Sequence, residues 1–136
     1  MRAFGKWLLL ALLLFGASAG GYHAYLQAHP KRVLVILDCS FPMGAVWEKV
    51  APLLSSLGGQ RYTLFALATD KGRIHGWQRV FELGRTVPYA PRDLRDLPGR
   101  LQLPELDEAT QPYLITNADP AEMSAKRDWN VLRLTP

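Results

Sequence analysis

A single cysteine, Cys39, stands among the 136 residues. A lone thiol closes no internal disulfide, so any domain in this chain stands on packing alone. Metal-ligating chemistry is also thin: there is no cysteine set for zinc, and His23, His29 and His75 are scattered without ligand spacing. Acid is missing from the start of the chain, where no Asp or Glu precedes Asp38. Arg2 and Lys6 lie in that acid-free stretch and supply half of the formal +4, leaving 14 bases against 12 acids, a net +2, over the rest. So small an excess, with no Lys/Arg stripe interleaved with aromatics, excludes nucleic acid as the partner. Internal repeats and low-complexity tracts are absent too, which excludes solenoids and arrays.

What is present begins with a membrane-directed segment. Arg2 and Lys6 precede the apolar run Trp7–Phe15, and Ala17-Ser18-Ala19 follows it with small residues at cleavage-site spacing. Two readings stand. Cleavage after Ala19 releases a secreted or periplasmic domain. Retention makes residues 1–26 a signal anchor, because Trp7 to Leu26 is about 20 residues and a helix of that length spans a bilayer. Gly20, Gly21 and His23 weaken the second half of the span, whereas Tyr22 and Tyr25 suit an interface. Length favours the anchor. A buried helix of the domain is a third reading, but it leaves the order of bases first and small residues last unexplained. The basic start stays on the cytoplasmic side, so residues after Pro30 are expected in the periplasm or outside the cell. No cysteine follows the apolar run, which excludes a lipoprotein-type anchor.

Residues 27–32 read as a linker, and residues 33–136 suit one small domain. Val33–Leu37 is a continuous apolar, β-branched run, as expected of a strand buried on both faces. Beyond Asp38-Cys39-Ser40, Val46, Val50, Leu53, Leu54 and Leu57 follow helical spacing, with Ser40 as the cap and Pro42 in the first turn. Pro52 is expected to kink or split this helix and Gly58-Gly59 to end it. Residues 61–69 and 74–83 flank the turn Asp70-Lys71-Gly72 and read as a hairpin. Five prolines make residues 84–112 irregular, with short helical pieces near 92–97 and 105–110. A strand over Tyr113–Thr116, a helix over Pro120–Trp129 and a last strand over Asn130–Leu134 complete the pattern. The fold class is α/β, with a Rossmann-like, mostly parallel sheet and an antiparallel edge hairpin.

In open parallel sheets, ligands bind beyond the carboxyl ends of the strands. Two strands end in polar clusters, Asp38-Cys39-Ser40 and Thr116-Asn117-Ala118-Asp119. If those strands are neighbours, the clusters converge, and their oxygens suit a hard divalent cation. Equally, Asp38 and Ser40 serve as helix caps and Asn117 as a turn residue.

The segment VLVILDCSFPM resembles the first motif of von Willebrand factor type A domains, an apolar strand running into Asp-x-Ser-x-Ser. The hairpin at 61–83 matches that family's second and third strands in order and length, and PYLITNAD stands where the family has an apolar strand ending in Thr-Asp-Gly. The resemblance covers residues 33 to 134 in shortened form. It implies a protein-binding domain with a metal-ion-dependent adhesion site, here degenerate. Asp38 and Ser40 take the first two ligand positions, Pro42 replaces a hydroxyl at the third, and Asn117 replaces an aspartate. The expected cofactor is therefore none, magnesium being the cation that Asp38, Ser40 and Asn117 would take.

Haloacid dehalogenase-like phosphatases offer a second resemblance. They also carry an apolar strand ending in a nucleophilic aspartate, here Asp38, and another ending in Thr-Asn, here Thr116-Asn117. Their second aspartate is Ser40 in this chain; Lys126 is the candidate lysine, and no acid follows Asp128. Cys39 as a phosphatase-loop nucleophile needs an arginine six residues on, where Ala45 stands. Trp77, Tyr89 and Arg92 have the residue chemistry of a partner contact, although core packing is an equally simple use of Trp77. The expectation is a non-catalytic, membrane-tethered module that binds a protein partner outside the cytoplasm.

Overall fold

The computed structural model describes residues 2–123 and 129–136, which form two compact units, one up to Pro30 and one from Lys31 to Pro136. The first is a single helix, α1, Arg2–Ala28. At 1.5 Å per residue it runs about 40 Å, against roughly 30 Å of bilayer hydrocarbon. It is long and apolar enough to span a membrane. Its side chains are not used as core: Phe4, Trp7, Leu12, Leu13 and Phe15 are all exposed.

The second unit is α/β. Strand β1 is Lys31–Leu37, followed by a 3-10 helix over Phe41–Lys49, α2 over Val50–Leu57, β2 over Thr63–Thr69 and β3 over Gly72–Gln78. Two short helices, α3 (Leu97–Arg100) and α4 (Pro104–Glu108), precede β4 (Gln111–Thr116); a 3-10 turn at Pro120–Glu122 and β5 (Asn130–Arg133) follow. The sheet order is β3-β2-β1-β4-β5, parallel except for the antiparallel β2–β3 pair at one edge.

The continuous apolar run of β1 is explained by its central place. Residues 33–37 are buried on both faces. Val33, Val35 and Leu37 pack with Phe65, Leu67 and Ile115 beneath Val46, Val50 and Leu54 of the helical crossover. On the other face Leu34, Ile36, Ala66, Ala68 and Leu114 pack against Leu94, Leu97 and Leu101. Ala66 and Ala68 carry only methyl groups, which lets the irregular 92–109 segment lie close to the sheet.

Several local expectations change. The strand starts at Lys31, so only His29 and Pro30 separate it from α1. Arg32 enters the sheet despite its charge because its guanidinium pairs with Glu108 at 2.8 Å. The helix expected from residue 41 changes type at Val50, before Pro52. Pro52 then falls in the first turn of α2, so the segment is divided just before it, as one form of the expected break, with a 3-10 helix on one side and an α-helix on the other. Gly59, at φ +75°, supplies the left-handed residue after that helix. The helix expected over 120–129 begins only as the turn Pro120–Glu122; residues 124–128, including Lys126 and Asp128, lie outside the described residues.

Candidate functional site

The crossover from β1 to β2 covers one face of the sheet and the connection into β4 covers the other. The chain therefore reverses its winding between β1 and β4, and in such sheets the strand ends at that point splay into a crevice. Leu37 lies beside Ile115 in the register, so Asp38 and Thr116 are the first polar residues on either side.

Asp38 is fully buried. Its Oδ1 accepts the Ser40 amide at 2.9 Å, and its Oδ2 accepts the Thr116 hydroxyl at 2.6 Å. Thr116 Oγ1 in turn accepts the Ala118 amide at 3.0 Å, which holds the two strand ends in one hydrogen-bonded chain. A buried carboxylate also needs an opposite charge. Arg92 brings it: Nε lies 3.3 Å from Asp38 Oδ2 and donates to Ser40 Oγ at 3.2 Å. The same guanidinium donates to Asn117 Oδ1 and, through Nη1, to Glu122 Oε2 at 3.1 Å. Asn117 Nδ2 donates to the Pro42 carbonyl at 2.8 Å, so the residue without a hydroxyl still takes part through its backbone.

Asp38, Ser40 and Asn117, the residues expected to hold a metal, do meet at the strand ends. The cation on which their oxygens converge is Arg92. Among the described residues no group of three or more His, Cys, Asp or Glu side chains is arranged to hold a metal ion. The Asp38 carboxylate is paired with this guanidinium by charge, and the Ser40 hydroxyl and the Asn117 amide oxygen accept hydrogen bonds from it, so a planar fork occupies the point where the three oxygens meet.

Ser40 does not cap the following helix with its side chain. Its hydroxyl faces Arg92 instead. Arg92 is thus a member of the crevice, with only 18% of its side chain exposed, and not a free contact residue. Tyr89 does remain on the surface, 55% exposed, while its amide donates to the Cys39 carbonyl at 3.0 Å. Trp77 lies elsewhere. It pairs near Phe65 at the opposite end of β2, half-buried against the second core, with its indole N–H bonded to Glu108 at 2.7 Å. The crevice and Trp77 therefore do not form one surface.

Asp70 is the buried residue that sequence reasoning passed over. Asp-Lys-Gly is a turn signal, and the turn is there. Yet the Asp70 side chain points inward, where Oδ1 accepts the Cys39 amide at 3.0 Å. Lys71 approaches Oδ2 to 2.9 Å as an ion pair without hydrogen-bond geometry. The usable signal was positional: Asp70 follows β2 as Asp38 follows β1.

Cys39 lies between these two carboxylates. Burial, followed by the charges of Asp70 and Asp38, pushes its thiol from an ordinary value near 9 up to about 12. Three pH units correspond to about a thousandfold less thiolate at pH 8. Iodoacetamide labelling, followed by mass spectrometry, is expected to be slower in the native chain than in denaturant by at least that factor. Comparable rates would show that the thiol is neither buried nor protonated. The folded thiol keeps its proton to higher pH than the unfolded one. Its stabilising contribution is thus complete below about pH 9 and is lost as pH rises towards about 12.

No protein-family model, no curated protein and no solved structure matches this chain.

Proposed function

We propose that the chain is a membrane-tethered, non-catalytic binding module of von Willebrand A-like type, with its α/β domain in the periplasm or outside the cell. It binds a protein partner at the strand-end face and assists assembly of an extracytoplasmic complex. The observation that carries this reading is the engagement of Asp38. Each of its oxygens already has a partner, and the cation at the crevice belongs to the chain. An aspartate held in this way is a structural anchor for the loops around it, and those loops present Phe41, Val87 and Tyr89 to solvent. Exposed apolar and aromatic side chains on a braced loop are what a protein interface needs. The antiparallel β2–β3 pair at the sheet edge agrees with the family resemblance.

The extracytoplasmic placement rests on α1 and its flanks. Arg2 and Lys6 precede the apolar stretch. Lys31 and Arg32 follow it, so the basic flanks are balanced and the orientation rests on the signal-type order of Arg2 and Lys6, the apolar run and then Ala17-Ser18-Ala19.

The rival phosphatase reading shares Asp38 and Thr116 and predicts something different. The full-length chain in detergent micelles, given p-nitrophenyl phosphate and magnesium, is expected to show no turnover. Turnover abolished by Asp38→Asn would replace the binding module with an enzyme. In parallel, the chain used as bait in solubilised membranes is expected to retain a partner that the Phe41→Ala, Tyr89→Ala variant loses. Equal retention by both would move the working surface away from the strand-end loops.

A further inference from the structure

Beside the crevice, at the same end of the sheet, a cavity of about 460 Å³ opens between the β2–β3 turn and the 85–89 loop. Three of its lining residues are basic, Lys71, Arg73 and Arg85, and none is acidic. Ile74, Val87 and Tyr89 supply apolar surface between them. We propose that this basin seats an acidic segment of the partner protein, one that alternates carboxylates with apolar side chains. The assignment rests on the binding-module reading and names the chemistry of the partner.

Two of the three charges are met in part from within, Lys71 by Asp70 and Arg73 by Glu105, and the third is not. Arg85 has no acidic partner among the described residues. Arg73 gives Nη1 to the buried Glu105 at 2.9 Å, and 54% of its side chain stays exposed, so the rest of its fork faces solvent. Lys71 leans on Asp70 from one side only. The backbones that carry these side chains are tied by short-range hydrogen bonds. Thr69 Oγ1 accepts the Lys71 and Gly72 amides, each at 3.1 Å, and locks the β2–β3 turn. Thr86 Oγ1 donates to the Leu83 carbonyl at 2.8 Å and locks the loop that carries Arg85. Binding therefore orders little of the protein, which favours a short peptide with few contacts.

Charge complementarity selects the occupant. Cations on two separate elements, with apolar surface between them, match an extended strand of alternating Glu and Leu better than a compact anion. A single phosphate would meet one or two of the three cations and none of the apolar surface. An anionic membrane surface would meet the charges through its headgroups, and the nanodisc composition in the test below separates it from a peptide.

The test uses the full-length chain in phosphatidylcholine nanodiscs and a short dye-labelled peptide of alternating Glu and Leu, read by fluorescence anisotropy. Saturable binding is expected. The Arg85→Glu variant, which breaks no ion pair among the described residues, should bind about tenfold or more weakly with an unchanged circular-dichroism melt, and the Lys71→Glu, Arg85→Glu double variant should bind more weakly still, with a lower melt because Lys71 pairs with the buried Asp70. A peptide of alternating Lys and Leu should not bind, and raised salt should weaken the acidic one. Equal binding by wild type and the Arg85→Glu variant, or no binding at all, overturns the basin assignment. The binding-module reading would still stand or fall on membrane capture by the Phe41 and Tyr89 variant. Peptide binding that is blocked in discs rich in phosphatidylglycerol would assign the basin to lipid headgroups and overturn the proposal as well.

Discussion

Asp38→Ala is expected to lower the unfolding free energy by about 3–5 kcal/mol, the usual loss when one member of a buried ion pair is removed. The substitution strips three groups at once. Among the described residues Arg92 keeps only the half-exposed Glu122 as a counter-charge, and the Thr116 hydroxyl and Ser40 amide lose the acceptor that Asp38 gave them. Asp38→Asn keeps the shape and one acceptor oxygen, so its loss should be smaller. Adding Arg92→Gln to Asp38→Asn should restore part of the deficit, because no buried charge is then left without its opposite. Urea denaturation of the full-length chain in mild detergent, followed by tryptophan fluorescence, reads the midpoints of wild type, the two Asp38 variants, Arg92→Gln alone and the double variant. A midpoint for Asp38→Ala within error of wild type would show that the carboxylate is not held as described. Additive losses in the double variant would show that Asp38 and Arg92 are not coupled.

Phe65→Ala should cost about 3–5 kcal/mol for a different reason. Phe65 is the largest of the fully buried side chains, and it sits on β2 under the helical crossover. Its ring centroid lies 4.7 Å from that of Phe81, which closes the core beyond the end of β3. Truncation leaves a cavity that neighbours on a five-stranded sheet cannot collapse to fill. Phe81 is only partly buried, so Phe81→Ala should lose less. In the urea series, Phe65→Ala is expected to shift the midpoint with little change in slope. A Phe81→Ala loss equal to or greater than that of Phe65→Ala would contradict this ordering.

The parts of this structure that rest on local sequence were legible, and those that rest on distant partners were not. Val33–Leu37 announces a strand covered on both faces, and the turn at Asp70-Lys71-Gly72 announces a hairpin; both need only neighbours in the chain. The meeting of Asp38 with Thr116-Asn117 was conditional on β1 and β4 being adjacent, and they are. Arg92 was different. It stands 52 residues from Ser40 in a proline-rich stretch with no period, so nothing near it in sequence points to the crevice. Its composition suggested a surface contact, whereas a buried carboxylate draws it inward. Helical spacing at Val46, Val50 and Leu54 is met almost as well by a 3-10 turn joined to an α-helix, which is why the change at Val50 left no mark. Lys31 and Arg32 looked like linker because strand pairing uses backbone groups, which side-chain polarity does not report.

The placement of Arg92 also has a chemical consequence for the strand ends. A bound ion is in exchange with its surroundings, so its occupancy follows concentration and falls in the presence of a chelator. Arg92 is attached through the backbone, and its amount at the site is one per chain by synthesis. Dilution does not dissociate it, and competing divalent ions do not carry it away by mass action. The brace on Asp38, Ser40 and Asn117 is therefore present at one fixed stoichiometry in every folded chain.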